Sequence, residues 1–136
     1  MTCLIKLLLG LALTGMLMPA LATVPQQVLS KYGGEYSAKC SDKAALRAKV
    51  TKEGLSLTLG PKSVTGVFEM EALTYLGQSP PDGYETALMS NAKQAGSIVF
   101  IVYSSKAGLW VELDVDDAVL KQLGSSKRNA GKLKRC

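Results

Sequence analysis

The chain has 136 residues, with sixteen basic and eleven acidic side chains and a net charge of +5 at pH 7. It contains no histidine, which removes the commonest general base, the commonest transition-metal ligand, and the Ser-His-Asp and Cys-His catalytic arrangements. We therefore expect a protein that is not an enzyme and that uses no metal or cofactor.

The N-terminal region has the three-part layout of a secretory signal peptide. Lys6 precedes an uncharged run, Pro19 ends that run, and small residues occupy the first and third places of the triplet 20–22. The run is shorter than the roughly 20 apolar residues of a transmembrane helix, which leaves a buried N-terminal helix as the alternative. We expect cleavage after Ala22 and a single small domain, residues 23–136, in the periplasm or outside the cell.

Two cysteines, Cys40 and Cys136, remain after removal of the signal peptide. An even number of cysteines in a chain sent to an oxidising compartment predicts a Cys40–Cys136 disulfide. The alternatives are two free thiols or a link between two chains. The bond would close a loop of nearly the whole domain, and the chain-entropy description gives about 4.7 kcal/mol for a loop of about 100 residues.

Short stretches with period-two alternation of apolar residues dominate the exported part. After a helical turn that ends near Tyr32, the pattern predicts strands over 36–40, 46–50, 55–59, 64–70, 84–89, 98–103 and 109–113. In the fourth of these strands, Phe68 and Met70 are expected on the same face. The run 98–103 is the most apolar of the exported part and is predicted to be a central strand covered on both faces.

The pattern changes to helical spacing near the end of the domain. Apolar residues recur at this spacing between Val115 and Leu123, Asp114 or Asp116 can cap the start, and Gly124 follows the end. Strands joined by short turns, followed by one C-terminal amphipathic helix, predict an α+β fold. We expect mostly an antiparallel β-meander that is curled or barrel-like.

Three groups of residues could carry chemistry, and each has a simpler explanation. Ser90 and Lys93 have the S-x-x-K spacing of penicillin-binding proteins, but they lie at a predicted turn and the companion motifs are missing. Glu69 and Glu71 are expected about 7 Å apart on the solvated face of a strand, which is their ordinary place. The acids at 114–117 lack the glycine and distal glutamate of a calcium loop, so helix capping explains them better.

The residues after the helix, 125–135, are expected to be irregular and strongly basic. The basic residues are Lys127, Arg128, Lys132, Lys134 and Arg135. No aromatic residue is interleaved to stack on bases, so nucleic acid is not the expected partner. Anionic lipid, lipopolysaccharide or an acidic protein surface fits this segment better, and the alternative is a solvated tail that aids solubility.

The most prominent loop runs from Gly77 to Tyr84. Its prolines make it stiff, so little conformational entropy would be lost on binding, and tyrosines, which are enriched where proteins meet, flank it. The predicted binding residues are Tyr75, Ser79, Pro80, Pro81, Asp82 and Tyr84. The alternative is an ordinary connection whose prolines protect a sheet edge.

The layout as a whole resembles one class of bacterial protein. A cleaved signal, Tyr36 four residues before Cys40, antiparallel strands and a terminal Cys136 resemble small periplasmic inhibitors of lysozyme and the immunity proteins that neutralise cell-wall hydrolases delivered by rival bacteria. The short Ser-Gly-x-x-Tyr inhibitory signature of one lysozyme-inhibitor family has no match, so no inhibitory residue is carried over.

This resemblance implies a periplasmic protein-binding module that blocks a secreted or cell-wall-acting hydrolase. The main alternative is an envelope assembly or accessory factor that binds an anionic surface through its basic tail. A third hypothesis is a small hydrolase that uses Ser90 or the pair Glu69 and Glu71. The sequence leaves the identity of the partner and the oligomeric state open.

Overall fold

The computed structural model describes residues 23–75, 77–93, 95–125 and 130–136, so the predicted signal peptide lies outside the described residues. Within these ranges the chain forms two short helices and eight strands. The elements are α1 (Gln26–Tyr32), β1 (Gly34–Ser37), β2 (Arg47–Val50), β3 (Gly54–Leu59), β4 (Lys62–Ala72), β5 (Tyr84–Ala92), β6 (Gly96–Ser105), β7 (Gly108–Val115), α2 (Asp117–Leu123) and β8 (Leu133–Arg135). Every strand predicted from the sequence is present, although its ends differ by a few residues.

The eight strands form a closed barrel in which each strand pairs antiparallel with the next. The last strand, β8, pairs with both β7 and β1 and so closes the sheet. At this closure Tyr36 lies opposite Arg135, and Val111 lies opposite Leu133. The predicted antiparallel meander and its barrel-like form are therefore confirmed.

The prediction that the helix is C-terminal is wrong, because β8 follows α2. The prediction of an irregular segment over 125–135 is also wrong for its end, since residues 133–135 form this strand. Without β8, the edges of β1 and β7 would expose unpaired backbone groups. A strand of three residues is too short to show a period, and only Leu133, which is fully buried, reveals its inward face. Lys127 and Arg128 lie outside the described residues.

Side chains fill the interior of the barrel. Every second residue points inward along the strands, and the largest of these residues, Tyr36, Leu57, Leu88 and Phe100, have no exposed surface. The Tyr36 hydroxyl donates a hydrogen bond to the carbonyl of Tyr32 at 2.8 Å, so this buried hydroxyl has a hydrogen-bond partner. The barrel interior is therefore a packed core.

The two helices close opposite ends of the barrel. The segment leading into α1 is tied to the β2–β3 turn by a hydrogen bond from the Val24 amide to the Lys52 carbonyl, 2.9 Å long. At the other end, Val119 and Leu123 of α2 are buried in the same core. Gly124 follows the end of this helix, as predicted, and adopts the left-handed conformation with φ of 71°. Among the described residues, no helix is both long and apolar enough to cross a membrane.

The predicted Cys40–Cys136 disulfide is present. The Cα atoms of the two cysteines are 5.6 Å apart, and the bond joins positions 96 residues apart in the sequence. Beside it, the Cys136 amide donates to the Glu35 carbonyl at 2.8 Å. The disulfide therefore fastens the closing strand to the segment that follows β1.

One side of the barrel wall is much taller than the other. Strands β4 to β7 have eight to eleven residues each, whereas β1, β2 and β8 have three or four. The pairing of β4 with β5 shifts register between Phe68 and Met70. The prediction that these two residues share a face is therefore wrong: Phe68 is buried and Met70 is 50% exposed. Because of this β-bulge, an apolar residue lies on the outside of the tall wall.

Candidate functional site: an outer groove beside the proline loop

The loop between β4 and β5, residues 73–83, is attached to the outside of the tall wall by two tyrosines. The Tyr84 hydroxyl donates to the Ala72 carbonyl at 2.9 Å. The Tyr75 ring meets the Tyr84 ring edge-on, with ring centroids 5.1 Å apart. These contacts fix both ends of the loop, because Tyr75 lies near its start and Tyr84 begins β5.

Beside the loop, outward side chains of β4 to β7 form two rows across the sheet. Cross-strand partners in an antiparallel sheet lie side by side on one face. One row consists of Ala72, Ala87, Ile101 and Glu112, and the other consists of Met70, Met89, Val99 and Asp114. With strands about 4.8 Å apart, each row spans about 14 Å. Both rows are apolar on three strands and end on a carboxylate of β7.

The loop and the two rows enclose a groove of about 210 Å³. Its floor consists of Ala72, Ala87, Met89, Val99 and Ile101, its wall of Thr74, Tyr75, Gln78 and Tyr84, and its open end of Asp114. The floor side chains are half-buried. The groove therefore presents apolar surface to an incoming group, with hydroxyl and amide groups along one side and one carboxylate at the end.

A line of aromatic rings borders the groove. The Tyr84 and Tyr103 rings meet edge-on at 6.3 Å, and Tyr103 stacks on Trp110 at 4.1 Å with only 7° between the planes. The Lys132 ammonium lies 4.3 Å from the centroid of the Trp110 ring. Trp110 at the end of this line is therefore in contact with both Tyr103 and Lys132.

Burial raises the pKa of the phenols in this border. The pKa of Tyr84 is raised chiefly by burial and further by Tyr75 and Glu71. Burial is also the largest cause of the raised pKa of Tyr103, to which the neighbouring Glu112 carboxylate adds. Burial therefore favours the neutral form of both phenols, and the Tyr84 hydroxyl donates to the Ala72 carbonyl.

At its open end the groove meets an acidic recess at the start of α2. Asp114 lines both the groove and this recess, together with Val115, Asp116 and Asp117. Asp116 occupies the N-cap position, as predicted, but its side chain does not cap the helix. Its carboxylate instead accepts a hydrogen bond from the Ser97 amide at 2.8 Å. Among the described residues, no three acids, cysteines or histidines lie close enough together to hold a metal ion.

The predicted binding residues are divided by the structure into two sets. Tyr75 and Tyr84 line the groove. The other four, Ser79, Pro80, Pro81 and Asp82, are exposed along the loop and do not line it. The structure therefore brings the two tyrosines together at one site and leaves the tip of the loop projecting beside it.

The sequence reasoning missed the floor of the groove. Val99 and Ile101 were assigned to a strand covered on both faces, but their outer face is only half-covered. The signal for the floor lies in β5, where Thr86 and Ser90 are buried while the apolar Met89 is partly exposed. This reversal of the usual pattern, with hydroxyls inside and an apolar residue outside, marks an outer apolar surface.

The residues weighed for chemistry have structural partners. Ser90 is fully buried inside β5, not at a turn, and its hydroxyl accepts the Leu55 amide at 3.2 Å. The Glu71 carboxylate accepts the Thr86 hydroxyl at 3.1 Å. Glu69 lies at the β-bulge, so the alternation that placed it beside Glu71 is interrupted there.

Two basic residues of the described C-terminal part, Lys132 and Arg135, contact the barrel. The Arg135 guanidinium donates to the carbonyls of Gly33 and Lys31, the latter at 3.3 Å, and lies 5.9 Å from the Tyr36 ring. Lys132 covers Trp110, as described above. Arg135 and Lys132, two of the five basic residues near the C-terminus, thus make contacts within the domain.

A comparison with protein-family models, with curated proteins and with solved structures found no match to this chain.

Proposed function

We propose that this chain is an exported protein-binding module, an inhibitor or immunity protein that neutralises a secreted or cell-wall-acting hydrolase. The observation that carries the proposal is the apolar groove beside the projecting proline loop, with Tyr75 and Tyr84 fixed between them. The Cys40–Cys136 disulfide supports an oxidising compartment, where such bonds persist. Cleavage after Ala22 and a periplasmic or secreted location belong to this proposal.

The size of the groove favours a protein side chain over a small molecule. Small-molecule pockets usually enclose about 300–1,000 Å³, whereas this groove encloses about 210 Å³. Burying one Leu, Phe or Met side chain is worth about 1.5–3 kcal/mol. Anchors of this kind, set in a pocket and surrounded by weaker contacts, dominate protein–protein affinity.

The exposed loop adds a second contact element beside the groove. Pro80 and Pro81 restrict the backbone, so binding would order few new torsions. Tyr84 anchors the C-terminal end of the loop to the Ala72 carbonyl. The partner would therefore meet a preformed edge, which suits a module that blocks a cleft without performing chemistry itself.

The alternative, an envelope factor that binds an anionic surface through its basic tail, has less support. Such binding needs basic side chains that are free to approach phosphates. Arg135 instead donates to backbone carbonyls, and Lys132 lies over Trp110. We therefore place the binding surface on the groove and the loop.

Inhibition of purified hydrolases tests the proposal. The oxidised protein would be mixed with a muramidase, an amidase and an endopeptidase acting on peptidoglycan, and the rate of cell-wall solubilisation would be recorded. We expect inhibition of one class at a one-to-one ratio. Met89→Glu, which places a charge on the groove floor, should raise the inhibition constant at least tenfold, or about 1.4 kcal/mol.

Thr65→Glu is the matched control, because Thr65 is exposed on β4 but does not line the groove. It adds the same charge and should leave inhibition unchanged. The tip of the loop is tested by Pro81→Ala. If the protein inhibited none of the three classes, the inhibitor role would be wrong. Equal inhibition by the parent and by Met89→Glu would exclude the groove as the contact site.

A further inference from the structure

We infer that the groove receives an apolar side chain that its protein partner carries two positions from a basic residue, so that the partner's contact surface is cationic. This inference rests on the proposed function and adds the chemistry of the partner. It is carried by the outward side chains of the two rows across the tall wall, which are apolar on β4, β5 and β6 and acidic on β7.

The apolar part of the site is the floor over β5 and β6. Ala87 lies beside Ile101, and Met89 lies beside Val99, in the register of these strands. All four side chains are half-buried and line the groove. A branched or unbranched apolar side chain laid across them removes apolar surface from water on both partners.

The acidic part of the site is the adjacent strand β7. Glu112 lies beside Ile101, and Asp114 lies beside Val99, so both rows end on a carboxylate. Asp114 is exposed, and among the residues that the structure describes, no lysine or arginine lines the groove or the acidic recess. The chain as a whole carries +5, so this surface is acidic against a basic background. A cationic partner gains there, and an acidic partner is repelled.

The spacing of the two parts matches one extended segment of a partner. Met89 and Asp114 lie two strands apart in one row, which is about 10 Å. Alternate residues of an extended segment lie about 7 Å apart on one face. A lysine stem extends the reach of its ammonium beyond that distance. An apolar residue over Met89 and a basic residue two positions away therefore meet the floor and the carboxylate together.

Short peptides test the inference directly. The full oxidised protein, isotope-labelled for amide NMR, would be titrated with acetyl-Lys-Ala-Leu-Ala-Lys-amide, acetyl-Glu-Ala-Leu-Ala-Glu-amide and acetyl-Lys-Ala-Ala-Ala-Lys-amide. We expect the first peptide to shift the amides of Ala87, Met89, Val99 and Asp114, and to bind more tightly than the other two. Asp114→Asn should weaken its binding about two- to fivefold, the range of one exposed ion pair.

Glu53→Gln is the matched control, because it removes one exposed acid in the β2–β3 turn and should not change the affinity. Equal binding of the acidic peptide at the groove would overturn the cationic partner while leaving groove docking intact. Shifts confined to β8, or none at all, would overturn the inference for the groove. Shifts of groove amides with protein concentration alone would identify a second copy as the occupant, and would also overturn it. The proposed function is tested separately, by the inhibition of purified hydrolases, so that its failure can be distinguished from failure of this inference.

Discussion

Replacing both Cys40 and Cys136 by serine should destabilise the barrel by about 4.7 kcal/mol. The disulfide closes a loop across 96 residues, and in the chain-entropy description a cross-link of this length raises the free energy of the unfolded state by about that much, because it removes chain entropy. Domains of this size usually have a free energy of unfolding of about 5–15 kcal/mol. With a urea dependence of about 1.5 kcal/mol/M, the unfolding midpoint should fall by about 3 M.

The assay is urea unfolding of the oxidised parent and the double serine variant, followed by far-ultraviolet circular dichroism and by fluorescence. Trp110 is the only tryptophan, and its partner in register on β8 is Lys134. Its emission therefore reports detachment of the closing strand. The parent with its disulfide reduced is the control and should match the variant. A loss below about 1 kcal/mol would refute the reasoning, because β8 would then hold the barrel closed without the cross-link.

Other changes test the core, the pH dependence and the processing of the chain. Ser90→Ala leaves the buried Leu55 amide without its hydroxyl acceptor, so unfolding measurements should show a loss of about 1–3 kcal/mol. In Gly66→Ala the new Cβ would lie 2.9 Å from the Ser90 Cβ and close to backbone atoms. Overpacking of this kind should lower the free energy of unfolding by about 1–3 kcal/mol, by the same measurement. The pKa of Glu85 is lowered, first by the hydrogen bond from Ser104 and then by Lys31. Its carboxylate therefore stabilises the fold above its unfolded-state pKa, and this contribution is lost as the pH falls through the lower folded-state pKa. Glu85→Gln should accordingly be less stable than the parent at pH 7 in thermal unfolding, and the two should converge in acid; a constant difference at all pH values would contradict this. Mass spectrometry of the exported protein should find Thr23 as the first residue, and an intact N-terminus would disprove cleavage.

The strands were predictable because the alternation of apolar residues is a local signal. Residues 46–59 show it clearly, and the hairpin of β2 and β3 forms there. The closing strand was not predictable in this way. Leu133 is the only inward residue of its three, and its place is decided by β1 and β7, which are distant in sequence.

The candidate site was partly predictable for the same reason. Tyr75 and Tyr84 flank two prolines, and this local feature identified one wall of the groove. The floor depends on the register between three strands, β4, β5 and β6. No local pattern places Met89 beside Val99, and the β-bulge that turns Met70 outward has no distinct sequence signal. Long-range pairing therefore decides which apolar residues are left on the outside.

The joining of β1 to β8 has a consequence for when this protein can fold. The two strands that complete the ring begin at Gly34 and end at Arg135, so most of the chain must leave the ribosome before the ring can form. A pairing between strands this distant in sequence forms more slowly than a hairpin of neighbouring strands. The hairpins of neighbouring strands would therefore form first, and closure of the ring by β8 would come last.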